Sequence, residues 1–261
     1  MPEEWQAIPE EQRAKTDEQA KPEEPQAIPD EQAMFEKRPG SAITIAEIVL
    51  ADDPQHWEAL GFAVRGNAMS LGDVRVLLAG SDAGQGMLGW SLRGIADTAL
   101  DGLPTTISQQ SPRATLDLLA VEPPSTHQNG VMAIDHVVAM SPNLDRGIDA
   151  LQAAGLDLRR IRERPTPAGA PRQAFFRLGA VILELVQEPQ DVVEASPQGR
   201  DGPTRFWGLA LLTDDIEHTA SAFDGHCGEI RPAVQYGRRI ATVKRSAGLA
   251  VPVALMSPAV E

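Results

Sequence analysis

Two residues bring chemistry into otherwise apolar strands: His136 in "VMAIDHVVAM" (131–140) and Glu184 in "VILELV" (181–186). An imidazole can exchange a proton near neutral pH or bind a metal through a ring nitrogen. A carboxylate in so apolar a strand is costly to bury unless a partner compensates it. Side chains alternate along a strand, so Val181, Leu183 and Leu185 share one face while Ile182, Glu184 and Val186 share the other. His136 is the natural partner for Glu184, and imidazole with carboxylate suits a divalent metal.

Other polar residues are weaker candidates. Arg172 and Arg177 lie on or beside the strand that precedes Glu184, and Tyr236, Arg238 and Arg239 lie near a later hairpin. One or two of these could hold an anionic substrate group through paired hydrogen bonds, although cationic side chains on strand edges are more often solvated. His56, His127, His218 and His226 fall on a helix, a loop, a helix and a helix end, and read as surface residues. Cys227 is the single cysteine, which excludes an intrachain disulfide and a zinc site built on thiolates. His226 precedes it, but neighbours on a strand point to opposite faces, which argues against a nucleophilic pair.

The elements that must position His136 and Glu184 recur along the chain. "VMAIDHVVAM" reads as a strand, and "NLDRGIDALQAAG" as a helix with Leu144, Ile148 and Leu151 at helical spacing, closed by Gly155. "LDLRRIRE" follows as a strand and "RQAFFRLGAVILELVQ" as a hairpin turning at Gly179. Residues 205–257 repeat the order: strand "RFWGLALLTDD", helix "IEHTASAFDGH", strand "GEIRPAVQY", hairpin "RRIATVKRSAGLAVPVALMSP". Residues 42–80 carry a shorter copy, with strand "AITIAEIVLADD", helix "PQHWEALG" and a hairpin turning at Gly72-Asp73. "GMLGWSLRGIAD" and "ATLDLLAVEP" read as the first and last strands of a still shorter one, and "LPTTISQQSPR" between them as a loop. The prolines of "RPTPAGAPR" (164–172) mark another loop, which could cover the mouth of a cleft.

The unit is therefore βαβββ. A lone unit exposes a sheet face and sheet edges, so units should pair. The expected class is α+β, with paired βαβββ modules forming half-open barrels, helices outside and a cleft inside. The expected domains are a tail over 1–40, a degenerate pair over 41–125 and a complete pair over 130–258. In the tail, "PEEWQAIPEEQ" (2–12) recurs as "PEEPQAIPDEQ" (22–32). Its Pro, Glu and Gln content predicts a disordered or loosely helical segment.

With 4% aromatic and 42% hydrophobic residues, the core must rest on Val, Leu, Ile and Ala. A net charge of −14 and no basic stretch exclude nucleic acid and anionic membrane as natural partners. No apolar run approaches a membrane span and the N-terminus lacks a signal-peptide pattern, so a reducing cytoplasm is expected.

"AIDHVVAMSPNLDRGIDALQAAGL", "RQAFFRLGAVILELVQEP" and "FWGLALLTDDIEHTASAF" together resemble the vicinal oxygen chelate superfamily, which includes glyoxalase I, extradiol dioxygenases and bleomycin resistance proteins. The resemblance covers 130–257 well, 42–80 moderately and 81–129 poorly. It implies a cleft metal (Zn, Ni, Mn or Fe) held by residues on the first and last strands of paired units. His136 matches the first-strand histidine and Glu184 the last-strand glutamate.

The chain departs from the family pattern elsewhere. The corresponding positions of the third copy fall at Gly208 and Ala254, and those of the first at Glu47 and Leu77. Asp117 stands where the shortened copy would carry its acid.

Three readings of His136 and Glu184 follow: a two-residue metal site completed by water or substrate, a metal-free acid–base pair acting on a carbonyl compound, or a hydrogen-bonded remnant in a cleft. The implied function is a glyoxalase- or dioxygenase-like small-molecule enzyme of lyase or isomerase type. The alternative is a non-catalytic binding or drug-sequestering protein of the same fold. A homodimer is one way to complete the cleft. Gly208→His with Ala254→Glu is expected to restore a four-ligand site.

Overall fold

Residues that alternate between apolar and mixed positions, punctuated by glycine turns, build two sheets in this molecule. The computed structural model describes residues 43–109, 127–165 and 171–259, which all fall in the compact unit Lys37–Glu261. The repeated tail, "ATLDLLAVEP" with Asp117, and residues 166–170 of the proline-rich loop lie outside the described residues.

The second copy comprises β6 (Val131–Ser141), helix α2 (Leu144–Ala153), β7 (Asp157–Arg162), β8 (Gln173–Leu178) and β9 (Val181–Gln187). The side chain of Asn143 accepts a hydrogen bond from the Arg146 amide and caps α2. Leu144, Ile148 and Leu151 are buried, on the spacing expected of a helix that covers a sheet. Gly155, at φ +91°, ends the helix in a conformation that glycine adopts without strain.

The third copy comprises β10 (Arg205–Thr213), α4 (Ile216–Ala222), the short β11 (Arg231–Pro232), β12 (Arg239–Thr242) and β13 (Val253–Met256). Helix α3 (Gln190–Ala195) links the two copies.

Both copies share one eight-stranded sheet in the order β11-β12-β13-β10-β6-β9-β8-β7. In each, the opening strand pairs in parallel with the last strand of its own copy, and the two opening strands pair antiparallel at the centre. Such pairing removes the exposed edge that each unit would carry alone. This is the paired βαβββ, half-open barrel of an α+β fold.

The first copy builds a five-stranded sheet, β2-β3-β1-β4-β5, from β1 (Thr44–Leu50), helix α1 (Pro54–Ala59), β2 (Ala68–Leu71), β3 (Val74–Leu78), β4 (Met87–Arg93) and β5 (Thr105–Ile107). Its pairing reproduces the larger sheet: β1 with β3 in parallel and β1 with β4 antiparallel. Thr105–Ile107, within the stretch read as a loop, is a strand parallel to β4. It stands where β13 stands beside β10.

One apolar cluster runs beneath both sheets, from Ile48, Trp57 and Trp90 to Leu183, Leu185 and Leu255. Arg146 ties the two sheets together. It donates to Asp101 in the β4–β5 connection at 2.6 Å and to the carbonyl of Arg200 at 2.6 Å. Among the described residues, no helix is long and apolar enough to cross a membrane.

Candidate functional site

The alternation read from "VILELV" holds. Val181, Leu183 and Leu185 of β9 belong to the main core, whereas Val186 forms a separate cluster with Val138 and Met140 on the opposite face of the sheet. That inner face carries His136 and Glu184. Val138 is the cross-strand partner of Glu184, so the imidazole and the carboxylate come from adjacent strands, two residues apart in register. His136 Nε2 lies 3.5 Å from Glu184 Oε2, with the side chains 13% and 14% exposed.

A bulge completes the arrangement. In the β6–β10 pair, Ala210 faces His136 and Leu211 faces Ile134, which leaves Asp135 as an extra residue. A bulge re-aims side chains that regular alternation would send to opposite faces. Asp135 Oδ2 accordingly lies 2.8 Å from His136 Nδ1. Its other oxygen accepts a bond from Arg238 Nη2 at 2.5 Å, and Arg238 Nε donates to the Ser257 carbonyl at 2.8 Å. The Arg238 side chain is 3% exposed. Glu184 Oε1 accepts a bond from the side-chain amide of Gln173 on β8. The result is a continuous polar chain, Arg238–Asp135–His136–Glu184–Gln173, across three strands and the turn before β12.

Its electrostatics divide the roles. Burial opposes ionisation of Asp135, but the bonds and charges of His136 and Arg238 outweigh it and hold the carboxyl below its ordinary range. An ionised Asp135 can only accept, so Nδ1 of His136 donates to it and Nε2 faces Glu184. Burial disfavours the imidazolium of His136, yet Asp135 and Glu184 overcome this and raise its pKa. Burial also raises Glu184, against the lowering effects of His136, Gln173 and Arg162. A carboxyl and an imidazole whose pKa values are both raised, on a partly solvated apolar floor, can pass a proton to and from a bound molecule.

Register tests the assignments in the other copies. Glu184 stands opposite the residue two beyond His136, and Ala254 stands opposite Ala210, two beyond Gly208. Leu77 likewise faces Val49, two beyond Glu47. The equivalences of Gly208, Ala254, Glu47 and Leu77 therefore hold geometrically. Glu47 is ion-paired with Arg75 on β3.

The expected rebuilding of a second ligand pair does not survive. A Cβ on Gly208 would lie 2.6 Å from the carbonyl oxygen of Pro252, a backbone atom with no freedom to retreat. Histidine cannot enter there without moving β13.

The remaining candidates separate cleanly. Arg177 faces Ile182 across β8–β9, which puts it on the inner face. Arg172 instead pairs with Glu163 and with Asp145 of α2. Arg239 pairs with Glu217 at the surface, and Tyr236 is 92% exposed. His218 is exposed, while His56 and His226 are half-buried.

His127 corrects the surface reading. It is 6% exposed, accepting from the Ala63 amide at 3.0 Å while its Nε2 lies 2.9 Å from the Ser70 carbonyl. Burial lowers its pKa, so as a neutral ring it bridges the segment after α1 to β2. Burial pushes the Cys227 thiol up to about 11, which removes the thiolate a nucleophile needs.

Sequence reasoning missed Asp135, since a regular strand would have placed it away from His136. It also missed Arg160 and Arg162. The register of β7 with β8 slips between Leu158 and Arg160, and beyond the slip Arg160 faces Phe175 and Arg162 faces Gln173 on the inner side.

Neither a protein-family model nor a curated relative matches the chain. Solved structures do. A fusion of a xylose isomerase-like TIM barrel with 4-hydroxyphenylpyruvate dioxygenase superposes with a TM-score of 0.55 at 14% identity, over 84% of this chain and 50% of that one. Methylmalonyl-CoA epimerase from Mycobacterium tuberculosis gives 0.42 at 18% identity, over 51% of this chain and 92% of the epimerase. The Streptomyces coelicolor epimerase bound to 2-nitronate-propionyl-CoA gives 0.40 at 20% identity, over 49% and 96%. At these identities likeness concerns the fold, and the chain has the fold shared by glyoxalase-like, vicinal oxygen chelate proteins.

Proposed function

We propose that this protein is a glyoxalase-like small-molecule enzyme of isomerase or lyase type, moving a proton at a carbonyl compound bound over His136 and Glu184. The observation that carries the reading is the polar chain from Arg238 to Gln173, with a raised carboxyl facing a raised imidazole at its centre. Glu184, ionised, takes the proton from the carbon next to the carbonyl, and the C–H electron pair moves into an enolate. His136, held by Asp135, offers the Nε2 proton to the enolate oxygen. Glu184 then returns a proton to carbon while the enol hydroxyl gives its proton back to His136 Nε2, which restores the carbonyl and both residues. Asp135 and Arg238 are positioning residues: they orient the ring and stabilise its charged form.

The donors do not fit a resident metal of the four-ligand kind that the resemblance implied. His136 and Glu184 supply two donors, Gly208 and Ala254 none, and the described residues hold no cluster of three ionisable ligands. Arg238 and Arg162 add positive charge where a cation would bind. The lone cysteine keeps a cytoplasmic location part of the proposal.

Proton NMR in deuterium oxide tests the reading, with enolisable 2-oxo acids as probes. Protein-dependent deuterium uptake at the carbon beside the carbonyl, unaffected by a chelator and lost in Glu184→Gln, is the expected result. Uptake no faster than buffer for every probe would overturn it. The ligand-poor third copy favours the second reading, a binding protein, which would show probe binding without uptake.

A further inference from the structure

We infer that the β7–β8 side of the inner face is a binding site for an anionic group, a carboxylate or phosphate, on the small molecule handled at His136 and Glu184. The inference rests on the acid–base reading for the position of the reacting carbon, but the site itself stands on register. Two cross-strand rows end in arginine and a third carries one. Arg160 ends the row of Phe175, Glu184 and Val138, Arg162 ends the row of Gln173, Val186 and Met140, and Arg177 lies between Asp157 and Ile182 in the row of His136. Residues in one row share a face. All three guanidinium groups thus belong to the face that carries the polar chain.

Their surroundings suit ligand binding better than edge protection. Charges that blunt an edge strand normally reach into solvent. Arg160, Arg162 and Arg177 are each half-buried, whereas Ile161 on the outer side of β7 is 38% exposed. Arg162 is near enough to Glu184 for its charge to favour the carboxylate. Among the described residues, neither Arg160 nor Arg162 forms an ion pair, in a protein of net charge −14.

Geometry also limits the ligand. Arg160 and Arg162 on β7 lie two strand spacings, about 10 Å, from the backbone of Glu184 and three, about 14 Å, from that of His136. Arginine side chains span much of that distance, so the anionic group sits a few bonds from the carbon that exchanges its proton. Half-buried guanidinium groups bind planar or tetrahedral oxyanions through paired bonds. Phe175, between Arg160 and Glu184 in its row, supplies an apolar surface for the intervening carbons.

Calorimetric titration of the full chain with inorganic phosphate and with succinate separates the two sources. Saturable one-to-one binding of either probe is expected, weakened roughly tenfold or more in the Arg160→Gln/Arg162→Gln double variant. Arg172→Gln, on the α2 side, should bind as the parent does. Circular dichroism confirms that the variants fold. Binding equal in parent and double variant, or none of either probe at millimolar concentration, would overturn the inference. Anion binding retained while deuterium uptake is absent would sink the acid–base reading and leave the site. Uptake without arginine-dependent binding would do the reverse.

Discussion

The two halves of the eight-stranded sheet have the same pairing and opposite contents. In one, β6 and β9 place His136 and Glu184 on the inner face; in the other, β10 and β13 place Gly208 and Ala254 at the matching register. Their outer faces are alike, with Val137, Ala139, Leu183 and Leu185 answered by Leu209, Leu211, Val253 and Leu255, all in one core. The difference teaches that packing constrains one face of such a strand and leaves the other to vary. What the third copy contributes to the site arrives by another route. Arg238, from the turn before β12, reaches across to Asp135.

If the halves differ as described, disabling the chemical half should have the largest effect. Glu184→Gln keeps shape and removes the charge, so deuterium uptake should fall about 10²–10⁴-fold, the usual contribution of a positioned acid–base group. The chemical denaturation midpoint should barely move. Uptake that survives would show that the halves do not differ in chemistry.

The second half should resist repair. Gly208→His should destabilise by about 1–3 kcal/mol in urea denaturation, because its Cβ meets the Pro252 carbonyl backbone. An unchanged midpoint with metal bound through the new imidazole would reverse the conclusion drawn from that contact.

A third test uses pH. His136 and Glu184 both have raised pKa values in the folded protein, so the folded state binds more protons than the unfolded one. Stability should fall as pH rises above the ordinary values of 4.5 for Glu184 and 6.5 for His136, through the folded values. Asp135, lowered, acts oppositely: its contribution is present above the ordinary 3.8 and lost as pH falls. Asp135→Asn removes the main interaction that raises His136, so the decline above neutrality should shrink and the imidazole should titrate at lower pH by NMR. The same decline in variant and parent would remove Asp135 from the chain.

The smallest effect belongs to the inert half. Ala254 is half-buried on the inner face with no polar role, so Ala254→Ser should shift stability by no more than about 0.5 kcal/mol. It should leave deuterium uptake untouched, and a large loss would reveal a function in the third copy.

The sequence by itself determined the βαβββ repeat, the face on which Glu184 lies, and the equivalence of His136 with Gly208. These follow from period-two alternation, helical spacing and glycine turns, which are local properties of the chain. Tertiary structure alone decided the rest. The bulge that brings Asp135 beside His136 exists because β6 and β10 slip in register where they meet, and a similar slip between β7 and β8 turns Arg160 and Arg162 inward. Neither slip has a signature within one strand, since each is a relation between two. The burial of His127 between Ala63 and Ser70 and the closeness of Gly208 to Pro252 likewise depend on segments far apart in sequence. Alternation predicts a face only until a pairing partner inserts or skips a residue, and at this site it did so twice.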